Sequence, residues 1–199
     1  SKERGILMKR IKKIFLLLSL TVTTLTLNMI ALPSLANAQS PPPLGGRYIN
    51  GIGRLVYWLH PSSYNRTWMI NTAVNAWANM PSWIYLIPVS SNYGSNMDFY
   101  SNRHLPSGTL AQTTFFDIMG NQLRYTQNWY FTEITLNPGI LSQYSNEHQI
   151  GTIAHEMGHA FGLDHANSNP YSVMCQTGSG RIVQRPQEVD DAVVRNIYR

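Results

Sequence analysis

The chain has 199 residues, with 15 Lys+Arg against 10 Asp+Glu and a single cysteine. The positive charge is local: residues 1–38 hold six basic residues and one acidic residue, so 15 − 6 = 9 basic and 10 − 1 = 9 acidic residues remain in 39–199. This composition excludes a small domain held together by disulfides and gives no support to nucleic-acid binding, and residues 39–199 have the length of one domain.

Residues 1–38 have the pattern of an export signal. A basic cluster from Lys9 to Lys13 precedes an apolar stretch from Ile14 to Leu32, and Ala36-Asn37-Ala38 has the A-x-A form of a cleavage site. We expect Met8 to be the true start, residues 1–38 to be a signal peptide, and the mature protein to be secreted. An uncleaved membrane anchor is the alternative, because the apolar stretch is long enough to span a bilayer.

The rest of the chain predicts a Pro/Gly linker over residues 39–46 and one domain over 47–199. Periodic apolar residues predict helices over 62–80 and 147–161, and a last helix from about residue 186 that turns Val189, Val193 and Ile197 inward. Runs of strand-forming residues predict strands over 54–59, 83–89, 97–100, 108–116 and 131–136. This order of elements predicts an α+β domain with a cleft between its halves.

The segment from His155 to His165 carries the chemistry, because it reads H-E-x-x-H-x-x-G-x-x-H. His155 and His159 are four residues apart and therefore share one face of a helix. Gly162 permits a turn with positive φ that ends the helix and can return His165 as a third ligand. Three imidazoles at these offsets predict one zinc ion with a position left for water, and Glu156 lies beside the metal as general base.

The extended motif, with Met174 nine residues after His165, resembles the metzincin clan of zinc endopeptidases. The segment from Gly162 to His165 is most similar to the matrixins. The resemblance implies a metzincin-like zincin domain, in which a twisted mixed β-sheet packs with an active-site helix and a C-terminal helix. It also implies that Met174 forms the structural Met-turn under the zinc, and that a zinc-activated water hydrolyses peptide bonds with Glu156 as general base and then acid.

Two more segments resemble the matrixin pattern. The residues Gly108, Thr109, Leu110 and Ala111 resemble the stretch that leads into the edge strand above the cleft, where substrate adds as an antiparallel strand. The Asp190-Asp191 pair resembles the acidic pair of the family, and we expect it to be structural. The Pro and Tyr that wall the family's specificity pocket are absent after Met174.

Further metal sites and partners have little support. Gln112 stands where many relatives have a histidine for a second, structural zinc, and the loops have too few acidic residues for a calcium site. We expect His60, His104 and His148 to be surface or hydrogen-bonded residues. Cys175 is expected to be a buried small side chain, with a reactive or dimer-forming thiol as the alternative. The expected partner is a protein or peptide substrate. We expect the chain to contact the membrane only during export and to be a monomer.

A function from another class is a zinc-stabilised binding module on the cell surface that does not hydrolyse peptides. Glu156 argues against it, because a module that only binds zinc has no use for a carboxylate at that position.

Overall fold

Residues 39–101 and 104–199 are described by the structure, a computed structural model of the chain. The predicted signal peptide lies outside these residues, so its removal stays a prediction. Within the described ranges, the helices are too short or too polar to cross a bilayer.

A six-stranded mixed sheet is the centre of the domain. Its strands are β1 (Leu55–Leu59), β2 (Leu86–Val89), β3 (Met97–Ser101), β4 (Ala111–Phe116), β5 (Gln122–Leu123) and β6 (Phe131–Leu136). They lie in the order β2-β1-β3-β6-β4-β5. Strands β2, β1, β3 and β6 are parallel to one another, whereas β4 is antiparallel to both β6 and β5. Every residue of β3 is buried, as a strand in the middle of a covered sheet requires.

Over residues 39–101 and 104–199, four α-helices accompany the sheet, and the fold is mixed α+β as the sequence predicts. They are α1 (Thr67–Ala78), α2 (Pro138–Leu141), α3 (Asn146–Ala160) and α4 (Glu188–Ile197). Helices α1 and α3 pack against each other through the fully buried Trp77. Its indole Nε1 donates a hydrogen bond of 2.9 Å to the carbonyl of Ala154, and its ring lies 5.1 Å from that of Phe161. This contact fixes the position of α3, which carries the histidine motif.

Several predicted elements begin later than expected, and two of them have a local cause. The helix predicted from residue 62 starts at Thr67, because residues 61–66 form a tighter 3₁₀ turn. The strand predicted from Trp83 starts at Leu86, because Trp83 has a left-handed φ of 59° that no strand accommodates. Strand β5 and helix α2 were not predicted, since two and four residues are too few to show a period.

The last helix faces the core differently from the prediction. Val193 and Ile197 pack against the core as expected, but Val189 is not part of it. Asp190 and Asp191 are instead fully buried on that face. Periodicity counts apolar residues only, so it could not find carboxylates that are buried with hydrogen-bond partners.

The Pro/Gly stretch over residues 39–46 is extended, but it is bonded to the domain along its length. The amide of Leu44 donates to the carbonyl of Gly162 at 2.8 Å, and the amide of Asp164 donates to the carbonyl of Pro42 at 2.7 Å. These bonds make residues 42–44 a short antiparallel partner of the turn that follows α3.

Candidate metal centre

Helix α3 presents His155 and His159 on successive turns. Ser145 caps its first turn by accepting a hydrogen bond of 3.3 Å from the amide of His148. The opposite side of the helix packs Ile153 and Met157 into the core, where both are fully buried. That packing turns the two histidines toward the cleft.

Gly162 ends this helix, as predicted. Its φ is +94°, a conformation that other residues rarely adopt. The amide of Gly162 donates to the carbonyl of His159 at 2.9 Å, and that of Leu163 donates to Gly158 at 3.0 Å. A Cβ atom at residue 162 would also lie 3.2 Å from the carbonyl oxygen of Gly46. Both the positive φ and the close approach of Gly46 therefore favour glycine at this position. The turn brings His165 back toward the helix.

The three motif histidines converge. One ligand atom from each of His155, His159 and His165 lies within 4.8 Å of the other two. The Nε2 atoms of His159 and His165 are 3.2 Å apart, and the three ring centroids are separated by 4.7 to 5.2 Å. In the part of the chain that the structure describes, this is the one group of three or more ligating side chains close enough to share an ion.

Backbone carbonyls set the proton on two of these rings. The Nδ1 atom of His155 is 2.8 Å from the carbonyl of Val173, and that of His159 is 2.7 Å from the carbonyl of Leu163. A carbonyl only accepts hydrogen bonds, so each Nδ1 carries the hydrogen and each Nε2 keeps its lone pair. Histidine ligands in metal sites are commonly oriented in this way, and the donor set fits zinc.

Burial keeps the imidazoles neutral. Loss of solvation lowers the pKa of His155 well below its usual value, and it lowers the pKa values of His159 and His165 as well. Neutral imidazole is the form that binds a metal ion, so the rings are ready to ligate at neutral pH.

Glu156 lines the same cleft from a buried position with 7% of its surface exposed. Burial raises the pKa of its carboxyl to about 7. The hydroxyl of Thr113 on β4 lies 2.7 Å from a carboxylate oxygen of Glu156 and 2.9 Å from its backbone carbonyl. The carboxyl group is thus held against the sheet, with a pKa suited to exchanging protons near neutrality.

Met174 lies beneath the motif helix and is fully buried. Its sulfur is so close to α3 that a Cβ atom at Gly158 would lie only 2.2 Å away. Its carbonyl accepts a hydrogen bond of 3.0 Å from the amide of Ala166, the residue after His165. Met174 therefore packs against α3 between His155 and His159, and its backbone also holds the residue that follows His165.

Asp190 connects α4 to the segment just before Met174. Its carboxylate accepts hydrogen bonds from the hydroxyl of Ser172, from the amide of Val173 at 3.0 Å and from the amide of Gln187 at 2.9 Å. The carbonyl of the same Val173 orients His155. Asp190 therefore has a structural role, as expected, because it links α4 to the segment that orients His155.

The cleft has a volume of ≈ 680 Å³ and contains all four polar residues of the motif. Its other side includes the predicted substrate segment, Gly108, Thr109, Leu110 and Ala111. Gly108 has a φ of +82° in the turn that precedes β4, and β4 begins at Ala111. The segment thus lines the same cleft as the histidines and leads into β4, which has the two-residue β5 on its outer side instead of being the edge strand itself.

The other histidines and the cysteine lie away from this group. His60 and His148 each have Nδ1 within 3.0 Å of a serine hydroxyl, and His104 is exposed. Cys175 is fully buried, as expected of a small core side chain.

Three residues of the site were missed from the sequence: Thr113, Gly158 and Arg181. Gly158 gave a signal, since a glycine inside a helix usually has a packing reason. Thr113 and Arg181, which lines the same cleft, gave none, because their contacts with helix α3 span 43 and 29 positions of the chain.

No family model and no curated protein matches this chain. Among solved structures, one titled "GM1 bound form of the ECX AB5 holotoxin" is similar at 20% identity with a TM-score of 0.50. The match covers 81% of this chain and 92% of that chain. At this identity the similarity concerns the fold alone.

Proposed function

We propose that the protein is a zinc-dependent endopeptidase with a metzincin-like, matrixin-like domain. The observation that carries the proposal is the convergence of His155, His159 and His165 beside a buried glutamate in an open cleft. The glycine turn after α3 and the buried Met174 below it agree with the same architecture.

The three histidines would hold one zinc ion through Nε2, with Nδ1 of His155 and His159 engaged by backbone carbonyls. Zinc bound there supplies a Lewis acid that polarises the scissile carbonyl and lowers the pKa of a water molecule. Two carbonyl contacts keep the rings from turning, so the ligand set is preorganised.

Glu156 moves the protons in the proposed reaction. Its ionised carboxylate takes a proton from the attacking water and then gives that proton to the leaving amine. Burial disfavours the charge on this group and raises its pKa to about 7, which makes both transfers feasible near neutral pH. The hydroxyl of Thr113 holds one carboxylate oxygen and leaves the other for the proton.

The edge of β4 is the proposed binding strand for the peptide. The carbonyl of Leu110 accepts a hydrogen bond from the amide of Asn137, which follows β6. In an antiparallel pair, successive residues direct their backbone N–H and C=O groups to alternate sides of the strand. The backbone groups of Ala111 and Thr113 therefore point away from β6. Strand β5 pairs only with Phe115 and Phe116, which leaves these groups for an extended substrate.

We also propose that the protein is exported and acts as a secreted monomer. The proposal depends on the basic and apolar pattern of residues 1–38. N-terminal sequencing of the exported protein should find a start at Gln39, and an intact N-terminus would instead support the anchored alternative.

The function is tested with quenched fluorescent peptides and Glu156→Ala. The wild-type protein should cleave them and stop when a chelator is added. Loss of the general base should lower kcat/KM by about 10²- to 10⁴-fold, while the variant still binds one zinc per chain. The matched control is Glu147→Ala, which removes an exposed glutamate from the first turn of the same helix and should keep full activity.

Zinc content by atomic emission separates the outcomes. Wild-type protein that binds one zinc and cleaves no peptide in the library would contradict the endopeptidase and favour the binding module. Activity that persists in Glu156→Ala would contradict the role of the carboxylate.

A further inference from the structure

Arg181 is a buried cation next to the metal centre. Only 5% of its surface is exposed, and its Nη1 atom lies 3.5 Å from the carbonyl of Val173, the same carbonyl that contacts Nδ1 of His155. Nη2 lies 3.3 Å from the hydroxyl of Thr152, one turn before His155 on α3. The guanidinium is therefore fixed between α3 and the segment after Met174.

This guanidinium is poorly neutralised. Its three neighbouring oxygen atoms are uncharged and stand at 3.3 to 3.5 Å, and its Nε is buried without a hydrogen-bond partner. Among the described residues, no carboxylate forms an ion pair with Arg181; the nearby Glu156 is hydrogen-bonded to Thr113. A buried charge without a counter-ion is costly, and a planar guanidinium matches a carboxylate in two hydrogen bonds.

Arg181 also lines the cleft that contains Glu156 and the three histidines. The neighbouring wall consists of Gln176, Thr177, Gly178 and Ser179, which are small or polar. This wall offers a substrate side chain polar groups beside a fixed positive charge. Burial lowers the pKa of Arg181 only to about 10, so the charge is present at neutral pH.

We propose that Arg181 determines the specificity of this cleft by binding a carboxylate of the peptide substrate next to the scissile bond. The inference rests on the proposed endopeptidase function and names the substrate class for the same site. The carboxylate is either the side chain of Glu or Asp or the free C-terminus of a short peptide, and the chemistry of recognition is the same for both.

Matched peptides that differ only in one charge test the proposal on the full-length protein. One series carries Glu or Gln at each of the two positions on either side of the scissile bond. A second series ends one residue after that bond with a free carboxylate or an amide. We expect kcat/KM to be at least tenfold higher for the charged member in one series, which also identifies the source of the carboxylate. Equal rates for charged and neutral members in both series would overturn the proposal.

Substitutions then assign the preference to the residue. Arg181→Gln should remove it, Arg181→Lys should keep part of it, and Arg185→Gln, at an exposed arginine of the same loop, should leave it unchanged. A preference that survives in folded Arg181→Gln would overturn the assignment. If that variant does not fold, Arg181→Lys and the wild-type comparison still decide the question.

A binding measurement keeps this inference separate from the proposed function. Calorimetry on zinc-loaded Glu156→Ala should find a Kd at least tenfold lower for the charged peptide of the pair. That preference without any cleavage by the wild type would support the carboxylate site and contradict the endopeptidase. Cleavage without a charge preference in rate or binding would support the endopeptidase and contradict the carboxylate site.

Discussion

Glu156 shows how a single residue depends on its surroundings. Burial raises the pKa of this carboxyl, whereas the hydrogen bond from Thr113 and the charges of His165 and Arg181 lower it. Burial is the larger effect, so the carboxyl has a pKa of about 7 before any cation is bound beside it. A bound dication would lower this pKa, which places the acid limb of activity at or below pH 7.

Thr113→Val should therefore change the pH dependence of catalysis. The base must be ionised, so below its pKa the rate falls about tenfold per pH unit. Without the hydroxyl, the ionised form loses a hydrogen bond, the pKa rises, and the acid limb of kcat/KM should move up by roughly one pH unit. The profile is measured from pH 5 to pH 9, with Thr114→Val as the control on the same strand. An unchanged or lower acid limb in Thr113→Val would contradict this account of the carboxylate.

At the scale of the element, helix α3 depends on its fit against Met174. Gly158 faces the sulfur, whereas the neighbouring motif residues face the cleft or the core. Met174 is fully buried, and the ring of Trp77 lies 3.4 Å from the same position, so neither can move away freely.

Gly158→Ala should destabilise the protein in spite of its better helix propensity. The gain from propensity is about 1 kcal/mol, whereas forcing a methyl group into a packed core costs about 1–3 kcal/mol and displaces α3. Chemical denaturation should find a lower free energy of unfolding and weaker zinc binding. Gly53→Ala, where a Cβ atom meets nothing within 4 Å, should stay within about 0.5 kcal/mol of the wild type. A stabilised Gly158→Ala variant would contradict the packing described.

Helix α4 acts on the site through Asp190. Its carboxylate holds Ser172 and Val173, and the carbonyl of Val173 holds His155, so α4 contributes to the ligand set without touching it.

Asp190→Asn should weaken this connection. An amide cannot accept on both oxygen positions, so at least one buried donor loses its partner at a cost of about 1–3 kcal/mol. We expect a lower melting temperature and a lower zinc affinity, measured by differential scanning calorimetry and by competition with a chelating dye. Glu188→Gln, at an exposed carboxylate of the same turn, should change neither by a comparable amount. An unchanged zinc affinity in Asp190→Asn would mean that α4 does not position His155.

At the scale of the whole molecule, the candidate metal centre joins separate parts of the chain. Helix α3, the turn after it and the segment around Met174 meet at the three histidines, and helix α4 holds that segment through Asp190. A ligand that binds only this arrangement stabilises the whole fold by mass action.

Removal of zinc should therefore lower the thermal stability. At free zinc 100-fold above its Kd the stabilisation is about 2.7 kcal/mol, which corresponds to roughly 5–10 °C for a domain of this size. Chelation should lower the melting temperature by this amount, and added zinc should restore it. His165→Ala should melt like the chelated protein, whereas His148→Ala, outside the cluster, should respond to zinc like the wild type. Equal melting temperatures with and without zinc in the wild type would contradict a shared ion.

Much of the site could be predicted from sequence because its residues are close in the chain. His155, His159 and Gly162 are related by helical geometry and by the backbone freedom of glycine, which are local properties. The type and order of the main strands and helices follow from the same kind of pattern. Boundaries at Trp83 and Thr67 could not be predicted, since local backbone conformation there departs from what the apolar pattern favours.

The sequence by itself determined the mixed α+β class and identified the three histidines, the turn that brings them together and the glutamate beside them. Only the tertiary structure decided what surrounds them: Thr113 on Glu156, Gly158 against Met174, and Arg181 against Thr152 in the cleft. These contacts join residues that are 16 to 43 positions apart, and each depends on how helix, sheet and loop pack. Such packing produces no recognisable period or spacing in the sequence. Each residue of a contact fits the pattern of its own helix, strand or loop whether or not its partner is present.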